Sequence, residues 1–151
     1  SCYGYGMTLS ALQIAQAYLV FANGGFFKEL KLFKDKFFES NKESQIISEE
    51  TNRLIIDMLE ETVNSDTGTA RAARIKGKIV AGKTGTAMES LEEDTSYTAT
   101  FSGFVPSKNP DYLTVVVLHG LKGEDSSGGR VAAPVFSNIM REIYLINDLE
   151  I

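Results

Sequence analysis

The hydrophobic residues near the start of the chain follow the spacing of an amphipathic helix. They recur at helical intervals over Ala11–Ala22. Ser10 and Gln13 have the spacing of a capping box, in which the side chain of each residue accepts a hydrogen bond from the backbone N–H of the other. Asn23 and the two glycines after it accept the left-handed backbone that ends a helix. The pattern therefore predicts a helix over residues 11–22.

A second helical pattern covers Glu49–Val63 and is preceded by Ser48, a good capping residue. Its acidic first turn suits the positive end of the helix dipole. The spacing predicts the following inner face: Leu54, Ile55, Met58, Leu59 and Thr62. Shortly after it, the Ala-rich segment Thr69–Arg74 predicts one more helical turn.

Between these helices the chain is aromatic and rich in lysine. Phe26–Phe38 alternates only in part, which predicts one or two short strands with a turn near Lys34 and Asp35. The polar segment Ser40–Ser44 predicts a loop.

From Lys78 onward the hydrophobic period becomes that of strands. Three strands are predicted, over Ile79–Thr86, Tyr97–Val105 and Tyr112–His119. Their connections are an acidic loop and a turn, over Glu89–Ser96 and Pro106–Pro110. A glycine-rich loop over Gly120–Gly129 precedes a last helix over Ala132–Leu145, with Pro134 in its first turn.

The faces of these elements also follow from the pattern. In the second strand, alternate residues line one face: Ala99, Phe101, Gly103 and Val105. In the third strand, the run Val115–Leu118 predicts burial on both faces. In the last helix, the predicted apolar face is Val135, Phe136, Ile139, Met140 and Ile143. Three consecutive strands with short connections favour an α+β fold, an antiparallel sheet covered by helices, with residues 1–151 in one unit.

Composition excludes several functions. The chain has 151 residues, 43% of them hydrophobic and 23% charged, which is typical of a globular domain. The net charge of −5 argues against a general nucleic-acid binder. The single cysteine, Cys2, excludes an internal disulfide and a cysteine-cluster metal site, and the single histidine, His119, excludes a multi-histidine metal site. The acidic run of Glu92, Glu93 and Asp94 is interpreted as a solvated loop and not as a metal site.

The densest chemical signal is the stretch from Gly77 to Thr86, and two motifs overlap in it. Gly77, Gly82, Lys83 and Thr84 match the phosphate-binding loop G-x-x-x-x-G-K-[ST]. That loop needs a buried strand before it and a helix after it, whereas a basic segment precedes this one and Gly85 stands where the helix should begin. The flanks therefore disfavour a nucleotide-binding protein, which is kept as an alternative. A helix starting at Lys83 would be its structural signature.

The second motif is Lys83-Thr84-Gly85, continued by Thr86. On a strand, Lys83 and Gly85 face one way and the two threonines the other. Gly85 lets another chain approach closely, and a strand edge offers backbone groups to an extended peptide. Threonine hydroxyls and an ammonium group hold a carboxylate. The residues therefore predict a site for a peptide that ends in a free carboxylate, against the alternative of an ordinary strand end.

The flanks resemble a known family. Residues 81–87, Ala-Gly-Lys-Thr-Gly-Thr-Ala, are similar to the K-T-G motif of penicillin-binding proteins. Other stretches resemble that family in the expected order: Tyr3–Gly6 followed by Leu12–Ala15 and Ala22–Gly25, then Gly68–Ala70, Phe101–Pro106, and Gly128-Gly129 followed by Ala133–Phe136. The likeness covers nearly the whole chain and is greatest to class B enzymes of the septal, cell-division type.

The resemblance implies a serine D,D-transpeptidase that crosslinks peptidoglycan stem peptides and is acylated by β-lactams. It implies catalytic roles for Lys83 and Thr86, substrate contacts for Thr84, Gly85 and Thr86, and an oxyanion donor in the backbone N–H of Thr86. Lys83 would supply positive charge for the donor carboxylate and for the proton network of the site. No cofactor or metal is implied. The implied partners are stem peptides, β-lactams, the rest of the same domain and membrane proteins of the division machinery, with no nucleic acid.

One part of the family pattern is missing. No serine is followed at the third position by lysine, so the nucleophile motif S-x-x-K is absent. The triplet Ser107-Lys108-Asn109 comes after Lys83, in the wrong order for S-x-N, and is interpreted as a turn. We therefore expect the C-terminal portion of a transpeptidase domain, inactive alone, with nucleophile and membrane anchor upstream. That places the parent in a bacterial inner membrane, with a periplasmic or extracytoplasmic catalytic domain. A β-lactamase, a β-lactam sensor and a silent interaction module are the alternatives.

Overall fold

The fold is α+β, as predicted. The computed structural model describes residues 8–31, 43–91, 94–123 and 125–147. Three helices occur in this part of the chain: α1 over Ala11–Ala22, α2 over Glu49–Asn64 and α3 over Gly128–Ile146. Five strands are formed: β1 Phe26–Phe27, β2 Ser44–Gln45, β3 Ala81–Leu91, β4 Asp94–Val105 and β5 Tyr112–Leu121. A 3₁₀ turn over Arg71–Ala73 confirms the turn predicted after α2.

The main sheet is an antiparallel meander in the order β3-β4-β5. The pairing of β3 with β4 runs from Ala81 opposite Phe104 to Leu91 opposite Asp94. The acidic loop predicted over Glu89–Ser96 is therefore wrong, because both strands continue into that segment. The acidic residues suggested solvent, but backbone pairing between neighbouring strands does not require apolar side chains. Glu92 and Glu93 lie outside the described residues.

The first two helices begin at the predicted caps. The backbone N–H of Gln13 donates to Ser10 Oγ at 3.2 Å, and the Gln13 side chain accepts from the Ser10 N–H at 2.8 Å. Ser48 Oγ accepts from the Thr51 N–H at 3.2 Å in the same way. The capping box at Ser10 is confirmed, and both helices begin where the sequence places them.

One short strand forms within the predicted Phe26–Phe38 segment. Phe26–Phe27 pairs antiparallel with Ser44–Gln45. Ser44 therefore belongs to a strand and not to the loop predicted over 40–44. The predicted turn near Lys34 lies outside the described residues.

Helices cover both faces of the sheet. One face carries Ala99, Phe101 and Val105, as predicted, and packs against the buried residues of α3: Ala132, Ala133, Phe136, Met140 and Tyr144. Ala81 and Phe104 lie on the other face, in a smaller cluster with Leu59 of α2 and residues of α1. The sheet is thus the central layer, with α3 on one side and α1 and α2 on the other.

Three predicted faces need correction. In α2 the buried residues are Asn52, Leu59 and Val63, whereas Leu54 and Met58 are 50% and 64% exposed. In β5 only Val116 of the Val115–Leu118 run is buried. In α3, Ile139 is exposed and the buried face is as given above. Periodicity finds an amphipathic element, but it does not show how much of the apolar stripe a neighbour covers.

The last helix begins four residues earlier than predicted. It starts at Gly128 instead of Ala132, after Ser127. Pro134 consequently lies beyond the first turn, inside the helix. The glycine pair suggested a loop, but the absence of side chains there allows the first turn of α3 to approach the sheet closely.

Tyr144 fixes the far end of α3 against the sheet. Its hydroxyl lies 3.2 Å from the Val105 carbonyl oxygen and 3.1 Å from Asp111 Oδ2. Burial, and then the hydrogen bond with the Asp111 carboxylate, raise the pKa of Tyr144 well above its usual range. The phenol is therefore neutral and donates its proton at ordinary pH.

Arg74, the last residue of the Ala-rich segment after α2, caps the C-terminal end of that helix. Its guanidinium donates to the carbonyl oxygens of Val63, Asn64 and Ser65 at 2.9, 3.0 and 2.5 Å. The last carbonyls of a helix lack partners within the helix, so Arg74 satisfies groups that would otherwise depend on water.

Replacing Arg74 with glutamine is expected to destabilise the chain by about 2 kcal/mol, because charge-assisted hydrogen bonds to three carbonyls are lost. Urea denaturation followed by circular dichroism measures the change. Arg53→Gln, an exposed position on the same helix, removes the same charge and should change stability by less than about 0.5 kcal/mol. Equal losses in the two variants would show that net charge, and not capping, is responsible.

Candidate active site

Strand β3 presents the predicted site residues on its two faces. Lys83 and Gly85 pair with Ser102 and Thr100, on the face that carries Ala81 and Phe104. Thr84 and Thr86 pair with Phe101 and Ala99, on the face that packs against α3. The alternation predicted from the sequence is confirmed: the Lys83 side chain projects from one face of β3, and the hydroxyls of Thr84 and Thr86 project from the other.

Lys83 is exposed. Its Nζ lies 3.0 Å from the carbonyl oxygen of Thr84 and 3.3 Å from Thr84 Oγ1. The side chain therefore bends around the strand edge toward its neighbour. The ammonium group retains donor capacity for a further partner, because it carries three protons.

The open edge of β3 lies beside α2. In the part of the chain that the structure describes, β3 pairs only with β4. The Val80 carbonyl accepts from Asn64 Nδ2 at 2.8 Å, and the Gly82 carbonyl accepts from Thr62 Oγ1. Because N–H and C=O groups alternate in direction along an antiparallel strand, the backbone groups of Thr84 and Thr86 point to this same edge.

The Thr86 hydroxyl is held by the first turn of α3. The Gly128 N–H donates to Thr86 Oγ1 at 3.0 Å. A hydroxyl that accepts one hydrogen bond still has its own proton to donate. Thr86 is thus oriented to donate to an acceptor beside the strand.

A glycine in the first turn of α3 allows this approach. A Cβ at Gly128 would lie 2.5 Å from the carbonyl oxygens of both Gly85 and Thr100. A Cβ at Gly85 would lie 2.4 Å from Thr100 Oγ1. The contact between α3 and β3 therefore depends on the missing side chain of Gly128, whereas a side chain at Gly85 would point to the opposite face of the sheet.

A cleft of about 600 Å³ opens beside the threonine face. It is lined by Gly68, Thr69, Arg71, Ala72, Thr84, Thr86, Ser127, Gly129 and Arg130. These described lining residues include hydroxyls and two guanidinium groups but no carboxylate. The cleft is therefore suited to an anionic ligand.

The phosphate-binding-loop alternative fails on geometry. Lys83 lies inside β3, which runs over Ala81–Leu91. The helix that a nucleotide site requires at Lys83 is not formed. Ser107–Asn109 lies in the connection between β4 and β5, as interpreted from the sequence.

Among the other candidate groups, His119 is described and does not line this cleft. His119 is exposed, with Nδ1 lying 2.8 Å from Thr98 Oγ1. Cys2 and the Tyr3–Gly6 stretch lie outside the described residues. Within the described ranges, no three His, Cys, Asp or Glu residues are grouped to hold a metal. No helix in those ranges has the length and apolar character needed to span a membrane.

Comparison with known proteins decides the family. A family model described as the penicillin binding protein transpeptidase domain matches residues 1–141. This chain belongs to that family. The described fold, a meander with the K-T-G strand at its edge, is thus part of a penicillin-binding transpeptidase domain.

Two curated relatives illustrate the relationship. The chain is 36% identical over 141 residues to PbpC of Pseudomonas aeruginosa, named a probable peptidoglycan D,D-transpeptidase, covering 91% of this chain and 24% of the relative. It is 31% identical over 158 residues to FtsI of Buchnera aphidicola, named a peptidoglycan D,D-transpeptidase, covering 98% and 27%. The chain therefore spans about a quarter of the length of these relatives.

A solved structure agrees in fold. The TP domain of penicillin-binding protein 3 from Burkholderia pseudomallei superposes with a TM-score of 0.82 at 32% identity. The match covers 97% of this chain and 45% of that one. The elements described above thus correspond to a little under half of a solved domain.

Several residues that line or support the cleft are not among those predicted from the sequence. Arg71 and Arg130 are not among the predicted site residues, and Gly128 falls within the glycine-rich loop predicted over Gly120–Gly129. Gly128 contacts Thr86 across 42 positions of the chain. No local spacing rule predicts such a contact, although a glycine pair directly before a strong helical pattern is a usable signal for close packing.

Proposed function

We propose that this chain supplies the substrate-binding half of a serine peptidoglycan D,D-transpeptidase, the enzyme that crosslinks stem peptides through an acyl-enzyme. The observation that carries the proposal is the edge of β3. There two threonine hydroxyls and their backbone groups border a cleft whose described lining has no carboxylate. This arrangement fits a peptide with a free terminal carboxylate.

In this proposal Thr84 and Thr86 donate hydrogen bonds to the carboxylate of the donor peptide or of a β-lactam. Thr86 is prepared for this role because the Gly128 N–H occupies one lone pair of its oxygen. Gly85 lies between them, and its position has no room for a side chain, because Thr100 Oγ1 occupies the space that a Cβ would take.

The backbone N–H of Thr86 serves as one of two oxyanion donors. The Gly82 carbonyl points to the open edge of β3, where it accepts from Thr62. Thr86 is an even number of positions from Gly82 on the same strand, so its backbone N–H points to that edge too. Donors fixed in advance stabilise charge that develops in the transition state, and one such donor contributes about 2.7–4 kcal/mol.

Lys83 provides positive charge at the strand edge. Its ammonium lies on the face opposite the threonines and reaches the Thr84 carbonyl at 3.0 Å. A cation placed there stabilises anionic groups of the substrate and contributes to the proton network of the site.

The nucleophile comes from outside this sequence in our proposal, because none of its serines belongs to an S-x-x-K motif. A binding half without a nucleophile does not transfer an acyl group. We propose that the rest of the domain and a membrane anchor belong to the full-length protein. The catalytic domain then faces the periplasm and acts with other membrane proteins of the division machinery.

A labelled-penicillin assay read by intact mass tests the proposal. The full-length protein should gain one covalent adduct, whereas this chain alone should gain none. An adduct on the isolated chain would place the nucleophile among its own residues. Failure of the full-length protein to react would remove the transpeptidase assignment.

Thr86→Val in the full-length protein is expected to slow acylation by benzylpenicillin about 10- to 100-fold, because the ligand loses a hydroxyl donor and Gly128 loses its acceptor. Stopped-flow or gel-based measurement of the second-order acylation constant gives the change. Thr86→Ser keeps the hydroxyl and should stay within about threefold of the wild type. Equal rates in the Val and Ser variants would contradict a role for the hydroxyl.

A further inference from the structure

Two arginines concentrate positive charge in the cleft beside the threonines. Arg71 comes from the 3₁₀ turn and Arg130 from the first turn of α3. The chain as a whole carries a net charge of −5, yet none of the described lining residues is acidic. Lys83 leaves the opposite face of β3, so the threonine face has its own source of positive charge.

We propose that Arg130 is a specificity-determining residue, whose guanidinium binds the ligand carboxylate that Thr84 and Thr86 also contact. The inference rests on the proposed function and deepens it by naming the cationic side chain that selects donor peptides with a free carboxylate. Arg130 follows Gly128, the donor to Thr86, by two positions in the same helical turn. A guanidinium offers two parallel donors to one carboxylate, a geometry that an ammonium group lacks.

The partner that Arg130 has in this structure supports the proposal. Arg130 Nη1 contacts the Asp125 carboxylate, and the two side chains are 68% and 78% exposed. A solvent-exposed ion pair of this kind contributes little to stability. Asp125 therefore holds the Arg130 guanidinium at the rim of the cleft, and breaking this ion pair costs little free energy. The carboxylate of an incoming ligand can replace Asp125 as the partner of Arg130.

Arg71 is less available for this role. Its Nη1 donates to the carbonyl oxygen of Asp66 at 2.6 Å, in the segment that follows α2. The two cationic side chains of the cleft thus differ in their partners, one bound to a backbone carbonyl and the other to a carboxylate. We assign carboxylate selection to Arg130 because its partner is itself a carboxylate.

The test compares benzylpenicillin with its uncharged methyl ester on the full-length protein. The ratio of their acylation constants measures recognition of the carboxylate. Arg130→Gln should lower the acid-to-ester ratio about tenfold, while Arg130→Lys should give an intermediate ratio. Higher ionic strength should lower the ratio in the wild type and less so in Arg130→Gln. Arg141→Gln is the matched control, because Arg141 is exposed on the same helix, three turns away.

The outcomes separate this inference from the function on which it rests. A wild type that benzylpenicillin does not acylate contradicts the proposed function. A wild type that is acylated, with the same acid-to-ester ratio in Arg130→Gln as in Arg141→Gln, overturns the role of Arg130 alone. Asp125→Asn gives an independent reading, because removing the competing carboxylate should raise the ratio about two- to threefold.

Discussion

Gly128→Ala is expected to abolish measurable acylation of the full-length protein and to lower its free energy of unfolding by about 2–4 kcal/mol. The added Cβ would lie 2.5 Å from two backbone carbonyl oxygens, those of Gly85 and Thr100. Backbone atoms in paired strands do not move aside as a flexible side chain does. The first turn of α3 must therefore retreat from β3, and the hydrogen bond to Thr86 is lost with it.

The glycine at position 120 supplies the comparison. A Cβ there meets nothing within 4 Å, although its φ of +68° is unfavourable for other residues. Gly120→Ala should therefore cost only about 1 kcal/mol, from backbone strain, and leave acylation unchanged. Thermal or urea denaturation and the labelled-penicillin rate give the two readouts. If Gly128→Ala reacted at the wild-type rate, the contact between α3 and β3 would have no part in forming the site.

Phe136→Ala is expected to remove about 3–5 kcal/mol of stability, because it leaves a cavity at the centre of the larger core. Phe136 and Phe101 are both fully buried, and their ring centroids lie 4.6 Å apart. Urea denaturation of the chain measures the loss. Ile139→Ala, an exposed position in α3, should cost about 1 kcal/mol or less.

A double-mutant cycle sharpens this prediction. Phe101 stands opposite Thr84 in the register of β3 and β4. The aromatic contact predicts a coupling of about 0.5–1.5 kcal/mol between Phe101→Ala and Phe136→Ala. Strictly additive losses would show that the rings stabilise the core only through their separate burial.

Local signals in the sequence were sufficient for much of the fold. Capping residues and periodicity locate α1 and α2, because a helix start depends on residues three positions apart. The strand over Lys83–Thr86, and the division of its side chains between two faces, follow from alternation alone. These features depend on near neighbours in the chain, and the structure confirms them.

The misplaced features depend on contacts that the sequence does not show. Strand β3 continues to Leu91 and β4 begins at Asp94, because each strand provides the other's backbone partners. Helix α3 begins at Gly128 because only a residue without a side chain fits against Gly85 and Thr100. Leu54 and Met58 are exposed because α2 turns other residues toward the sheet. Arg130 joins the cleft only once α3 has docked.

The two faces of β3 also limit how this region can evolve. Lys83 and Thr86 are separated by an odd number of positions, so they lie on opposite faces. A substitution in this stretch changes one side chain and leaves the others in place. An insertion or deletion of one residue between them would move the lysine or the threonine to the other face. Natural variation in this motif should therefore replace residues while preserving their number.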